Sequence, residues 1–231
     1  MDEERTGRHE LHAKVNSDIS EIKTAIQYIK GSLEMIQQGL RNNNPYTRAN
    51  SPTGITRDGH GLVERAGMDQ MIDENRTRIK STVLAKYIAA CLNGNGADVN
   101  MTKVQKLTYI AYGTCLAVTG NRLADEHPQA WPYGPVFPAA RSKLLKTDLN
   151  CIRLSDPDLQ EISNDATVKS LVMLVCKSFG KWPAFALSEW SYKDGSPWER
   201  TVSSRGFKWG KEINDEYIRS YFRKIVVISD E

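Results

Sequence analysis

The stretch MTKVQKLTYIAYGTCLAVTGNRLADEHPQAWPYGPVFPAARSKL, residues 101–144, decides how this chain is read. Val104, Leu107, Ile110, Ala111 and Cys115 recur at intervals of three and four, which predicts a helix over Lys103–Thr119 with one buried face. Thr102 stands where an N-cap belongs, and Gly120-Asn121 ends the pattern. The turn that follows, Trp131-Pro132-Tyr133-Gly134-Pro135-Val136, is stiffened by Pro132, Pro135 and Pro138, with Pro128 just upstream. Gly134 permits the tight bend that presents Trp131 and Tyr133. A rigid aromatic loop loses little entropy on binding, so this element has the character of a docking surface. Trp190, Tyr192 and Trp198 supply a second aromatic group. Trp131 and Trp198 suit core filling as well as docking, since Trp is often mostly buried, whereas Tyr133 and Tyr192 are expected to be exposed.

Upstream, a helical pattern runs through Met68, Met71, Ile72, Ile79, Val83 and Tyr87, continues with Leu84, Ile88 and Cys91, and stops at Asn93-Gly94-Asn95-Gly96. Glycine and asparagine there suit a left-handed C-cap. Downstream, Val168–Phe179 reads as a helix with Val168, Leu171, Val172, Leu174 and Val175 inside. Cys151–Leu154 and Lys224–Ile228 have strand character, the second from its β-branched run. The expected fold is mainly α with a small β element, preceded by an N-terminal coiled-coil helix.

That first helix is read from Val15, Ile19, Ile22, Ile26, Ile29, Leu33, Ile36 and Leu40, spaced 4, 3, 4, 3, 4, 3, 4. A sustained 3.5-residue repeat predicts a left-handed coiled coil. Ile19, Ile26, Leu33 and Leu40 fall at a, and Val15, Ile22, Ile29 and Ile36 at d. β-Branched residues at d favour trimers or tetramers over a parallel dimer. Gly31 and Gly39 weaken the helix by up to about 1 kcal/mol each. After Leu40 the run RNNNPYTRANSPTG reads as a linker. A hairpin around Asp58-Gly59 and a following helix make residues 43–80 either an adaptor or a small wing. The chain thus divides into residues 1–42 for oligomerisation, 43–80 as linker or adaptor, and 81–231 as the main domain.

Bulk properties exclude several classes. No window approaches the roughly 18 consecutive apolar residues of a membrane span. The charged start MDEERTGRHE lacks the apolar core of a secretory signal, so a cytoplasmic location is expected. Cys91, Cys115, Cys151 and Cys176 stand 24, 36 and 25 residues apart with no CxxC pair, and read as buried reduced thiols. Residues 1–80 hold 12 basic and 12 acidic side chains and residues 81–231 hold 19 and 16. Neither half concentrates the basic stripe of a nucleic-acid reader. His9, His12, His60 and His127 do not have metal-ligand spacing, and no HExxH, P-loop or GxSxG pattern occurs. Asp125-Glu126 and the Asp156/Asp158 turn read as caps and solvated loops, and Lys103 and Lys106 as a surface pair at a helix start. The inventory predicts a non-enzyme without metal or cofactor.

Four elements in order carry a family resemblance over about residues 81–228. They are Thr102-Lys103-Val104-Gln105-Lys106-Leu107 with Tyr109, Tyr112 and Gly113; Gly120, Leu123 and Ala130-Trp131-Pro132-Tyr133-Gly134-Pro135-Val136; Leu187-Ser188 with Gly195-Ser196-Pro197-Trp198; and Ile213, Ile218, Tyr221 and Phe222. This order resembles the Panacea antitoxin domain, also called SocA-like, of bacterial and phage toxin–antitoxin systems. The family's usual Thr-His pair before Gly-Ser-Pro-Trp is here Ser191-Tyr192, so no role of that histidine carries over. The resemblance implies a compact helical domain that binds and neutralises a cognate toxin, encoded beside it, by direct protein contact. In SocA-like members the antitoxin also delivers the toxin to a cytoplasmic protease. The toxin-binding residues implied here are Lys103, Lys106, Trp131, Tyr133, Tyr192 and Trp198. The competing readings are an oligomeric regulatory or DNA-binding protein that uses residues 50–80, and a phage or mobile-element inhibitor of a host defence protein built on the same fold.

Light scattering on the full chain should give a mass above that of a dimer, falling to monomer when residues 1–42 are removed.

Overall fold

The computed structural model describes residues 78–227. The heptad positions Val15 to Leu40, and the Met68, Met71 and Ile72 pattern, lie outside the described residues. Among the described residues the elements run α1 (Ser81–Gly94), α2 (Met101–Thr119), β1 (Gln129–Trp131), β2 (Gly134–Val136), α3 (Pro138–Leu144), α4 (Gln160–Asn164), α5 (Ala166–Phe179), α6 (Ala184–Tyr192), α7 (Pro197–Val202) and α8 (Asp215–Val227). Single 3-10 turns occupy Leu149–Cys151 and Pro157–Leu159. The two strands form one antiparallel hairpin, with Gln129 opposite Val136 and Trp131 opposite Gly134. Mainly α with a small β element is therefore the fold class.

Helix α2 organises the rest. Its sequence pattern predicts one apolar face, but every residue from Lys103 to Ala117 is buried. A helix buried all round belongs to the interior of a domain. Helices α1, α5, α6 and α8 all pack on it, α8 most extensively. Small residues permit this: the Phe222 ring of α8 lies so close to Gly113 that a Cβ there would stand 2.3 Å from its Cε2. Edge-to-face ring pairs surround the contact, Tyr109 with Phe222 at 5.6 Å, Trp190 with Phe222 at 5.7 Å and Tyr112 with Phe137 at 5.6 Å. Such pairs add about 0.5–1.5 kcal/mol each beyond the area they bury.

Several boundaries differ from the sequence reading. The N-cap of α2 is Asn100, whose side chain accepts from the Lys103 N–H at 2.9 Å, and the helix starts one residue ahead of Thr102. The helical pattern through Ile79 breaks before α1, because Ile79 forms a parallel bridge with Ala124. Cys151 ends a 3-10 turn, and Cys151–Leu154 form no strand. Lys224 to Val227 close helix α8. Their β-branched preference yields because Ile218 and Phe222, fully buried at helical spacing, tie the segment to α2. The Asp125-Glu126 pair is a capping device, as read from sequence. Asp125 Oδ1 accepts from the Ser81 N–H at 2.8 Å, while Glu126 accepts from the Ser81 hydroxyl and from the Ala139 and Ala140 N–H groups that open α3. Cys91, Cys115 and Cys176 are buried and outside any disulfide, and Cys151 is exposed. None of the described helices is long and apolar enough to cross a membrane.

Two glycine substitutions separate packing from propensity. Gly113→Ala drives a methyl into a ring that Tyr109 and Trp190 hold in place, and should cost about 1–3 kcal/mol despite the gain in helix propensity. Gly94→Ala meets nothing within 4 Å and should shift stability by less than about 1 kcal/mol. Urea titrations of both variants against the parent check the contrast.

Candidate docking site

The β1–β2 hairpin stands on the buried side chains of α2. Lys106 is 2% exposed, and its Nζ donates to the Tyr133 carbonyl at 2.7 Å and the Pro135 carbonyl at 3.0 Å. One turn of backbone is thereby tied from below by a single cation. The neighbouring Gln105 Oε1 accepts from the Phe137 N–H at 2.7 Å. From the side, Trp198 Nε1 donates to the Trp131 carbonyl at 2.8 Å. On the outer edge, Ala130 exchanges backbone bonds with the loop before α8: its N–H reaches the Lys211 carbonyl at 2.8 Å and its carbonyl accepts from Gly210 at 2.9 Å. These bonds hold the hairpin's backbone from below, from the side and along its outer edge.

The sequence motifs are the parts of this frame. Gly134 has φ +98, and a Cβ on it would meet Ser191 Oγ at 2.6 Å and Lys106 Nζ at 2.7 Å, so only glycine fits between hairpin and frame. Leu187 and Ser188 are buried on α6 behind β2, and Ser191 Oγ donates to the Ser188 carbonyl. In Gly195-Ser196-Pro197-Trp198, Gly195 turns the chain at φ +75, Ser196 accepts from the Glu199 N–H as N-cap, and Pro197 opens α7. Trp198 is thereby aimed at the hairpin.

The expected contact residues fall into two groups. Tyr133 is 81% exposed at the hairpin tip, beside exposed Pro132. Trp131, Tyr192 and Trp198 are half-buried. The Trp131 ring lies under the Arg141 guanidinium at 5.4 Å. Tyr192 and Trp198 pack together at 5.8 Å. Lys103 and Lys106, by contrast, are no surface pair. Lys103 is wholly buried, with Nζ on the Asp98 carboxylate and the Gly180 carbonyl. Their sequence position at a helix start suggested exposure, but the helix lies inside the domain, so both long side chains serve as internal ties. Trp209 was missed in the sequence. It is 57% exposed, faces Trp198 at 6.3 Å and Phe207 at 4.9 Å, and extends the aromatic surface. Its signal lay in Gly206-Phe207-Lys208-Trp209-Gly210, aromatics between two glycines of positive φ.

Beside this surface a polar cavity of about 380 Å³ is lined by Arg122, His127, Lys211 and Tyr217 among others. Of its two carboxylates, Glu212 and Asp215, the latter is already engaged by the Tyr112 hydroxyl at 2.7 Å and Arg122 Nε at 2.5 Å, with His127 Nδ1 at 3.4 Å. Burial and the Asp215 contact together push the Tyr112 phenol well above its ordinary range. The cluster knits α2, the segment after it and α8. Among the described residues no group of His, Cys, Asp and Glu has the arrangement of a metal site.

Comparison with protein families places this architecture. Residues 104–199 match the family described as antitoxin SocA-like, Panacea domain. The stretch is thus similar to the Panacea domain, in agreement with the resemblance drawn from the motifs between Val104 and Glu199; the Ile213 to Phe222 element lies beyond the match. The match runs from α2 to α7, whereas α1 and α8, which complete the burial of α2, lie outside it. No curated protein and no solved structure gave a match.

Lys106 makes stability pH-dependent. Burial pushes its ammonium from the ordinary 10.5 down to about 7. Between these values the unfolded chain holds the proton and the folded chain releases it, so this group makes the fold more stable as pH rises from about 7 to about 10. The slope is at most about 1.4 kcal/mol per pH unit. Lys106→Met should abolish that slope and cost about 1–3 kcal/mol, since two buried carbonyls lose their donor. Urea midpoints of both proteins across this pH range check it.

Proposed function

We propose that the chain neutralises a toxin by direct contact, with the hairpin tip as the principal anchor. The observation that carries this reading is Tyr133, 81% exposed on a hairpin fastened by Lys106, Gln105 and Trp198 inside the matched antitoxin-type domain. An exposed aromatic on an already rigid backbone loses little freedom when it docks, which is the usual property of interface hot spots. Trp131, Tyr192 and Trp198 then form the flank of the contact, while Lys103 and Lys106 act by holding the frame. Activity rests on binding, without a catalytic step. Residues 1–42 present several copies of the domain as a trimer or tetramer, and residues 43–80 connect the two parts. Delivery of the captured toxin to a cytoplasmic protease would use the same contact. The DNA-binding alternative rests on residues 50–80, of which only 78–80 are among the described residues.

The growth of bacteria that express the adjacent open reading frame, with and without this chain, tests the proposal. Co-expression should restore growth, and Tyr133→Ala should lose protection while keeping the parent's circular dichroism. Binding of the purified neighbour to that variant should weaken roughly 10- to 100-fold. A harmless neighbour, or full protection by Tyr133→Ala, would count against this reading.

A further inference from the structure

The charges around the aromatic surface define its partner more closely. From Gln129 to Thr147 the chain carries Arg141, Lys143 and Lys146 and no acidic residue. From Arg200 to Lys211 it again carries only basic charges, with Arg205 and Lys208 between. The fold joins these two segments, because Gly210 and Lys211 pair with Ala130 of β1. Trp209 faces Trp198, which holds the Trp131 carbonyl, and Arg141 covers the Trp131 ring. Arg205, Lys208 and Lys211 are exposed. Among the described residues no ion pair takes up Arg141, Lys208 or Lys211, and the Lys211 Nζ has only the Ser204 hydroxyl, at 2.9 Å. Two carboxylates flank the 200–211 strip, Glu199, which accepts from the Ser203 hydroxyl, and exposed Glu212 at its far end, against the four basic residues Arg200, Arg205, Lys208 and Lys211.

We propose that the hairpin tip and the 200–211 loop form one docking face for an acidic protein surface, with Tyr133 and Trp209 as apolar anchors and Arg141, Lys208 and Lys211 as a cationic rim. This deepens the antitoxin reading and rests on it: the toxin's contact face carries Asp and Glu around an apolar patch. Large exposed aromatics inside a charged rim are the anatomy of a protein interface. A nucleic acid would call for a longer basic stripe and a more basic domain than a chain of net charge +3 and pI near 8.6 provides. Opposite charge on the partner would speed encounter and select against basic competitors.

Fluorescence anisotropy on the full chain tests the face with three labelled probes: a peptide of five Asp-Leu-Glu repeats, one of five Lys-Leu-Arg repeats, and a single-stranded oligothymidylate. The acidic peptide should bind, the basic one should not, and binding should fall between about 50 and 300 mM NaCl. Lys208→Glu with Lys211→Glu should weaken the acidic peptide about tenfold, and Arg141→Glu should weaken it further. Lys169→Glu, exposed on α5, should leave it unchanged. No binding of the acidic peptide, equal binding of both peptides, or tighter binding of the oligothymidylate through the same residues would overturn the proposal. The growth assay separates the two layers. If the parent and the double variant protect alike, the antitoxin reading stands and the acidic face falls. If the parent fails to protect, the antitoxin reading falls by itself.

Discussion

A helix with no solvent face must find partners for its polar side chains inside the domain, and α2 is buried without interruption from Lys103 to Ala117; only Gln105 Nε2 and the Tyr109 hydroxyl on it are left without one. Lys103 reaches Asp98 and Gly180, Gln105 reaches Phe137, and Lys106 reaches Tyr133 and Pro135. These ties hold the segments around the helix in register with it. The hairpin is the clearest case. Two short strands in isolation are marginal in water, and here the stability comes from the α2 side chains beneath and Trp198 beside them.

The same constraint divides the motif residues into frame and face. Gly134, Ser191, Gly195, Ser196 and Pro197 shape turns, caps and close approaches. Tyr133 and Trp209 meet solvent, with Trp131, Tyr192 and Trp198 half-buried between. A motif built largely of frame residues defines how a loop is presented, whereas what it binds depends on the few side chains at its tip and rim. That distinction bears on the proposed function, because rim charges such as Lys208 and Lys211 lie outside the stretch that matches the antitoxin-type family.

Much of the fold was legible in the chain itself. The spacing of Val104, Leu107, Ile110 and Cys115 marked α2, that of Val168, Leu171, Val172 and Val175 marked α5, and Gly134 between prolines marked a tight bend, though not the strands β1 and β2 on either side of it. The Asp125-Glu126 pair was legible as caps because carboxylates in turns commonly accept from helix-start N–H groups, but its partners, Ser81 at 44 and 45 residues and Ala139 and Ala140 at 13 and 14, were set by the fold. Where the reading failed, a distant contact outweighed a local preference. The end of α8 is helical because Ile218 and Phe222, buried earlier on the same helix, hold it on α2, and Cys151–Leu154 found no strand to pair with among the described residues.

The sequence alone determined the mainly helical class and the position of the rigid aromatic turn, since periodicity, proline and glycine act over a few residues, while the order of its motifs carried the resemblance to the antitoxin-type family. Only the tertiary structure decided that α2 is buried on every side, because the other faces carry small and polar residues that no hydrophobic period registers. It also decided that Lys103 and Lys106 point inward while Trp209 and Lys208 face outward. Whether a lysine is a surface charge or an internal tie depends on what packs over it, and that is set by helices tens of residues away in the chain.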